Sequence, residues 1–260
     1  MNLWQAVILG LVQGLTEFLP VSSSGHLVLA EAVIGVHSPG VFVEVALHVA
    51  TLGSVLVVYG PRLWAVVRGV VYDHPGERRY AALLVAATIP AAIAGATLAG
   101  PIERAFESLR FVGCAFLVTG LALWSTRRRQ GTAGVPAVGG AVTVGVAQAV
   151  AILPGISRSG ATVSTALWLG LAPDRAAEFS FLMAIPVIAG AAALEAPDAV
   201  AGVGQVGLVP LLVSCVVALV SGVWAIRFLV ALLRRGRFYA FAPYCWAIGV
   251  FTLGYALWRG

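Results

Sequence analysis

Pro154-Gly155-Ile156-Ser157-Arg158-Ser159-Gly160-Ala161-Thr162 sets a charge, three hydroxyls and helix-breaking residues into sequence that is apolar for about a helix length on either side. An arginine near the centre of a bilayer costs at least about 2.5 to 3.5 kcal/mol on insertion scales, so such a stretch is read first as a functional site. A twin stands near the start of the chain, Pro20-Val21-Ser22-Ser23-Ser24-Gly25-His26. Whatever the protein does must account for both.

The background decides the class. Of 260 residues, 60% are hydrophobic and 10% charged, with a mean hydropathy of +0.96, and no water-soluble surface can be built from that. The apolar runs are helix-length rather than the alternating segments of about ten residues that barrel strands require. The chain is therefore expected to be an all-α polytopic membrane protein, a single integral membrane domain over residues 1–260. Cys114, Cys215 and Cys245 lie far apart in apolar runs without metal spacing and read as packing residues. The net charge of +5 rests on sixteen arginines dispersed at helix ends, which argues against nucleic acid as a partner.

Taken in order, Leu3–Leu19 is apolar but lacks the basic start and small-residue cleavage site of a signal peptide, so it reads as a helix of the mature protein. Gly10, Gln13, Gly14 and Glu17 fall on one narrow face of it, which must meet protein rather than lipid. Beyond the Pro20 to Gly25 break, His26–Val36 covers only about 16 Å of a 30 Å core, so the two pieces are expected to form a re-entrant hairpin. Full spans are expected at Val41–Tyr59, Tyr80–Gly100 and Leu109–Ser125, with an amphipathic connector at Arg62–Arg79 and a Gly/Pro-rich linker at Gly131–Gly140. The plan then recurs: a short piece at Ala141–Leu153, the Ser-Arg-Ser break, a short piece at Ala161–Leu171, and spans at Ala176–Leu194, Val206–Leu229 and Phe241–Trp258.

An offset of 135 aligns the halves. Gly10 meets Gly145, Gln13 meets Gln148, Ser22 meets Ser157, Ser24 meets Ser159, Gly25 meets Gly160, Val28 meets Val163 and Gly35 meets Gly170. The internal repeat thus spans residues 1–130 and 138–260. Each half carries one hairpin and three crossings, making six full spans and two hairpins. An odd number of crossings inverts the second half relative to the first, so the two breaks are expected to meet near the midplane. On this path Arg62, Arg68, Arg78, Arg79, Arg127, Arg128, Arg129, Arg175, Arg227, Arg234, Arg235 and Arg237 share one side, against Arg104, Arg110 and Arg259 on the other. That bias places the first group in the cytoplasm and both termini, with the acidic loop Glu195 to Asp198, outside the plasma (inner) membrane.

Two polar breaks, each leading into a short helix, offer backbone N–H groups and a positive dipole end to an anion. Arg158 as a bidentate clamp, with Ser22, Ser23, Ser24, Ser157, Ser159 and Thr162 as neutral donors and Gly25, Gly155 and Gly160 allowing close approach, suits a phosphate or diphosphate. Glu17 opposes that charge unless a divalent cation, Mg²⁺ or Ca²⁺, bridges them, so Glu17 is the expected metal residue. His26 is the titratable group near neutral pH in the two breaks and the natural proton carrier. Catalytic work is therefore assigned to Glu17, His26, Ser23 and Arg158. Ser23 is a candidate nucleophile, with water as the alternative.

The run Gln13-Gly14-Leu15-Thr16-Glu17-Phe18-Leu19-Pro20-Val21-Ser22-Ser23-Ser24-Gly25-His26, together with Pro154 to Thr162 and Glu44-Val45-Ala46-Leu47-His48, resembles the signatures of the undecaprenyl-diphosphate phosphatase family of the bacitracin-resistance type. The resemblance covers the whole chain. It implies a membrane enzyme that hydrolyses a C55 isoprenyl diphosphate to the monophosphate and inorganic phosphate, recycling the carrier lipid for cell-wall synthesis. It also implies a divalent metal, with Gln13 joining Glu17 as a metal residue, and an active site reached from the outer face. Two positions depart from the family pattern: Gln13 fills the first place of a (Glu or Gln)-x-x-x-Glu motif, and Tyr244-Cys245 stands where many relatives have Tyr-Arg.

Plainer readings exist for each residue. Glu17 and Arg158 can form a buried ion pair that pins the hairpins, and the Ser and Gly clusters can serve helix packing. Glu44 and His48 read as packing or supporting residues, His37 and His74 as solvated, and Arg175 with Glu178 as caps of the following helix. The arginines at 127 to 129 read as a topology anchor. At the level of function the competing class is a polyprenyl-phosphate flippase or another carrier of anionic substrates, since inverted repeats with broken helices also build transporters. A carrier needs the anion clamp but not the added carboxylate, His and Ser. A second copy of the chain as partner is left open.

Overall fold

The computed structural model describes residues 1–34, 41–129 and 131–259. The described residues form helices: α1 Leu3–Phe18, α2 Ser23–Ile34, α3 Val41–Val71, α4 Pro75–Thr97, α5 Ala99–Phe106, α6 Leu109–Ser125, α7 Val138–Val150, α8 Arg158–Trp168, α9 Pro173–Val206, α10 Leu208–Arg234 and α11 Ala242–Arg259, with a 3-10 turn at Phe238–Phe241 before α11. One isolated bridge, Ala133 to Leu171, pins the Gly/Pro-rich linker to the turn after α8.

Among the described residues, five stretches are long and apolar enough to cross a bilayer: Val45–Val71, Pro75–Thr97, Pro173–Ala193, Leu208–Arg234 and Phe238–Trp258. A sixth is reached by counting α5 and α6 together, bent by 96° where they join. By contrast α1, with 16 residues, and α7, with 13, rise only about 24 and 20 Å, short of a 30 Å core. Trp4, Trp64, Val85, Leu121, Val216, Val220 and Trp258 all point outward, more than 60% exposed. Water would not tolerate that surface, and the protein is a multi-pass membrane protein.

Each short helix lies on a long one. α1 packs along α10 and α7 packs along α4, while α3 packs on α9 and α6 on α11. The contact faces follow from small residues. A Cβ at Gly10 would run into the backbone oxygen of Ser214, one at Gly14 into that of Ala218, and one at Gly145 into that of Ala87. Gly10 and Gly14 of the expected stripe of α1 therefore meet α10, and Gln13 and Glu17 beside them are buried as well. At its start α1 is capped reciprocally, Gln5 N–H donating to Asn2 Oδ1 at 2.8 Å and Asn2 N–H to Gln5 Oε1 at 3.0 Å. The interior is filled by Phe18, Leu123, Phe179, Phe181, Met183, Ile226 and Leu229.

Several boundaries differ from expectation. Helix α3 does not stop at Tyr59 but passes through Pro61 to Val71, absorbing half of the expected connector. Pro61 removes one N–H from the ladder, and the apolar pattern beyond it outweighs that loss. The segment Glu195 to Asp198, expected as a loop, continues α9 to Val206, where Gly207 at φ +81° ends it. Side chains of residues 194–206 lie outside the described part, as do His37 and the side chain of Glu44. Both polar breaks are narrower than expected, because Ser23 to His26 and Arg158 to Thr162 already belong to the first turns of α2 and α8.

One end of the bundle is an ionic cluster. Arg62 donates to Glu178 at 2.8 Å and to both oxygens of Glu77 at 2.8 and 2.9 Å, Arg175 pairs with Glu178 at 2.9 Å, and Arg234 pairs with Asp174 at 2.8 Å. The starts of α4 and α9, the end of α10 and the Arg62 turn of α3 are thus brought together. From there α4 runs 23 residues, about 34 Å, to α5 at the far end.

Gly10→Ala should lower the thermal unfolding midpoint in detergent, by the equivalent of about 1 to 3 kcal/mol, because the new methyl group meets an immovable carbonyl. Gly254→Ala, with open space around it in α11, should leave the midpoint unchanged or raise it slightly. Equal midpoints for the two variants would contradict the packing described.

Candidate active site

The two breaks are built by the same device. Ser22 Oγ accepts from Gly25 N–H at 3.3 Å at the start of α2, and Ser157 Oγ accepts from Gly160 N–H at 3.1 Å at the start of α8. In each, the hydroxyl two residues on leans on the capping serine: Ser24 Oγ lies 3.4 Å from Ser22 Oγ, and Ser159 Oγ lies 3.2 Å from Ser157 Oγ. Ser22 adopts φ +66°, a left-handed conformation rare for a residue with a Cβ, while Ser157 is extended.

The breaks then interlock. Gly155 N–H donates to Ser22 Oγ at 3.1 Å, and Ser159 Oγ donates to the Leu19 carbonyl at 3.2 Å. Any Cβ at Gly25 would stand 2.9 Å from Gly155 Cα, and one at Gly155, where φ is +90°, would press on the Val112 carbonyl at 2.6 Å. From α6, Thr119 Oγ1 donates to the Gly155 carbonyl at 2.9 Å and accepts from Ser157 N–H at 3.1 Å. Thr162 Oγ1 donates to the Arg158 carbonyl at 2.7 Å and lies 2.6 Å from Ser180 Oγ on α9. Ser22, Ser157, Ser159 and Thr162 are thereby buried and engaged in holding the breaks together. They shape the site, while Ser23, Ser24 and Arg158 present polar groups to it.

Glu17 is the hub. Its Oε1 meets Arg158 Nη2 at 2.5 Å, and its Oε2 accepts from Ser23 Oγ at 2.8 Å and from Gln13 Nε2 at 3.1 Å, with His48 Nε2 at 3.7 Å. Two polar atoms at its sides have no hydrogen-bond partner among the described residues, Arg158 Nη1 and Gln13 Oε1. Around this floor opens a cavity of about 450 Å³. Its walls are apolar, with Leu27, Val28, Ile152, Ile156, Val187 and Ile188, and its lining reaches Phe106 and Glu107 at the end of α5. Arg158 is the first residue of α8, so its guanidinium adds to a helix end that already favours negative charge.

His26 is placed differently from expectation. Its Nδ1 lies 2.7 Å from the Ser22 carbonyl and its Nε2 lies 2.7 Å from Tyr244 Oη, with the Tyr244 ring stacked at 5.7 Å and Phe116 edge-on at 5.2 Å. Both ring nitrogens are used, and His26 is not among the residues that line the cavity. The cause is helical geometry: Ser23, Ser24, Leu27 and Val28 share the face of α2 that lines the cavity, and at about 100° per residue His26 falls outside that face. The imidazole that does line the cavity is His48 of α3. Sequence reasoning read His48 as a supporting residue and did not single out Thr119, whose two bonds across the second break have no signature in a threonine of an apolar helix. Beside Tyr244, Cys245 is buried with its Sγ 3.5 Å from the Pro20 carbonyl, so the position filled by Arg in many relatives packs here on the first break.

No group of three or more His, Cys, Asp or Glu side chains suited to a metal ion occurs among the described residues. The unpaired Gln13 Oε1 beside the Glu17 carboxylate is nonetheless a pair of hard oxygen donors. Such a donor set fits Mg²⁺ or Ca²⁺ completed by substrate phosphate oxygens rather than a closed protein cage.

Comparison with known proteins accords with this geometry. The family described as bacitracin resistance protein BacA matches residues 6–251. A protein of Desulfosudis oleivorans named undecaprenyl-diphosphatase is 44% identical over 98% of each chain. Those of Carboxydothermus hydrogenoformans and Korarchaeum cryptofilum, of the same name, are 40% identical over 97% of each chain and 38% identical over 97% of this chain and 99% of the relative. With a match of that length, and the two signature breaks joined at one cavity, the chain belongs to the BacA family of bacitracin resistance proteins.

Proposed function

We propose that the protein hydrolyses undecaprenyl diphosphate to undecaprenyl phosphate and inorganic phosphate in the plasma membrane, returning the carrier lipid to cell-wall synthesis and so countering bacitracin. The carrying observation is the meeting of Ser23, Glu17 and Arg158 on the floor of a cavity with apolar walls. A lipid diphosphate needs that combination, since its head is a dense anion and its tail is hydrocarbon.

In the free protein Arg158 is engaged by Glu17 through one nitrogen, and its other terminal nitrogen is left for the terminal phosphate. Ser23 Oγ already donates its proton toward Glu17 Oε2, the arrangement of a nucleophile beside its base. Ser23 Oγ attacks the terminal phosphorus, its proton passes to Glu17, and the bond from that phosphorus to the bridging oxygen breaks. Undecaprenyl phosphate leaves with the electron pair and the proton is released from Glu17. Water then attacks the phosphoserine, giving a proton to Glu17, which returns it to Ser23 Oγ as inorganic phosphate departs. Arg158 and the positive end of α8 offset the negative charge on the phosphoryl oxygens throughout, which is the main demand of phosphoryl transfer. Mg²⁺ or Ca²⁺, held by Glu17, Gln13 and the substrate's own oxygens, would add positive charge at the same place. His26, bonded to Ser22 and Tyr244, keeps the first break in position.

The halves 1–130 and 138–260 are read as an inverted repeat, each a re-entrant hairpin followed by three spans. Support comes from matched packing, α1 on α10 against α7 on α4, and from the Ser22/Gly25 and Ser157/Gly160 caps, which coincide at the offset of 135. The site is read as opening to the outer face, with the termini on that side. The cavity lining ends at Phe106 and Glu107, beyond the far end of α4 from the cluster of Arg62, Arg175 and Arg234, and arginine-rich ends favour the cytoplasm.

Three measurements of phosphate release from an isoprenyl diphosphate in detergent test this reading. Arg158→Lys should lower kcat/KM by about a hundredfold or more, since ammonium replaces the bidentate fork; full activity in a folded variant would dismiss the clamp. Ser23→Ala should lose about a thousandfold in turnover, and near wild-type turnover would leave water as the attacking group. A chelator should abolish release, with Mg²⁺ or Ca²⁺ restoring it; indifference to chelation would remove the cation from the mechanism.

A further inference from the structure

A second cavity, of about 580 Å³, lies at the arginine-rich end and is lined by Val58 and Tyr59 of α3, Asp174 and Glu178 of α9, Arg227, Val230, Ala231 and Arg234 of α10, and Arg235 just after it. Its acids are already used. Asp174 is paired with Arg234, and Glu178 is paired with Arg62 and Arg175. Arg227 and Arg235 have no carboxylate partner among the described residues. Arg234 and Arg235 sit at the end of α10, where positive charge offsets the helix dipole and marks the cytoplasmic side. Arg227 belongs to the same side and is exposed. It lies seven residues earlier, about 10 Å up the helix and inside an apolar span, flanked by the lipid-facing stacked pair Trp224 and Phe228.

An exposed guanidinium beside an apolar wall reaches toward the lipid headgroups, and no carboxylate among the described residues neutralises Arg227 or Arg235. From the uncompensated charges, the apolar wall beside them and the aromatic pair facing the acyl chains, we propose that this cavity binds the headgroup of an anionic phospholipid of the surrounding leaflet. Its phosphate meets Arg227 and Arg235, the Tyr59 hydroxyl faces the same space, and the acyl chains lie along Trp224 and Phe228. A zwitterionic headgroup is disfavoured because its ammonium would be held against Arg227 and Arg235. The site is separate from the catalytic cavity and does not depend on the hydrolase reading.

The test is native mass spectrometry of the full chain in detergent, titrated with phosphatidylglycerol or phosphatidylcholine while a non-hydrolysable isoprenyl diphosphonate fills the catalytic cavity. The wild type should retain one phosphatidylglycerol at roughly a tenth of the concentration needed for phosphatidylcholine. R227Q/R235Q should lose that preference, while Arg128→Gln, on the same side but outside the cavity, should keep it. The single variant Arg227→Gln should weaken retention at least about threefold, and decides the question if the double variant does not fold. Hydrolysis in lipid-free detergent should be the same in all of them. Equal retention of phosphatidylglycerol by wild type and the cavity variants would overturn the proposal, as would equal retention of the two lipids by the wild type. Displacement of phosphatidylglycerol by millimolar inorganic phosphate would show a site for free phosphate and would overturn the lipid assignment.

Discussion

The contact between Glu17 and Arg158, 141 residues apart in the chain, is what the rest of the structure depends on. Removing two charges from water costs several kcal/mol for each ion, and an ion pair alone seldom repays that. Here it is reinforced on every side: Ser23 and Gln13 donate to the carboxylate, His48 stands next to it, and the interlocked bonds between Ser22 and Gly155 and between Ser159 and Leu19 keep the two helix starts in register. Loss of either charge would leave the other buried and unpaired. The pair locks the two breaks together, and Arg158 Nη1 is left without a partner among the described residues.

Delivering two helix starts to one point inside an apolar bundle needs short helices that end at depth. The glycines of α1 and α7 meet that need by letting each lie directly on the backbone of a long helix, α10 or α4. Thr119 and Tyr244 then act from the side, one tying the second break to α6 and the other tying His26 to α11. Polar side chains that looked interchangeable as donors divide by burial. Ser22, Ser157, Ser159 and Thr162, which are enclosed, hold the two breaks together, while Arg158 at the cavity floor keeps Nη1 without a partner among the described residues. The arginines at the opposite end follow the same logic, where paired ones fasten helices and unpaired ones attract phosphate.

Much of this was legible in the residues. The short apolar pieces, the buried stripe of α1 and the equivalence of Ser22 with Ser157 follow from length and spacing, and the structure shows the same residues doing the same local work. Glu17 and Arg158 were read both as an ion pair and as a reactive pair, and the geometry accommodates both. Three things were not legible. Pro61 and the acidic segment at 195–198 look like helix stops locally, but the apolar register continues through them. His26 belongs to the same polar run as Ser23, yet it falls outside the face of α2 that lines the cavity and meets Tyr244 instead. His48 was legible as a supporting residue but not as part of the cavity, since its place depends on how α3 crosses α1.

The most direct test of the shared grip is a solid-state ³¹P–¹⁵N distance measurement on protein with ¹⁵N-labelled arginine and a bound isoprenyl diphosphonate. If both helix starts hold one headgroup, the terminal phosphorus should lie within about 4 Å of a guanidinium nitrogen, and the coupling should disappear in Arg158→Lys while persisting in Arg104→Lys. A terminal phosphorus with no arginine within reach, or a coupling that survives Arg158→Lys unchanged, would contradict a site made jointly by α2 and α8.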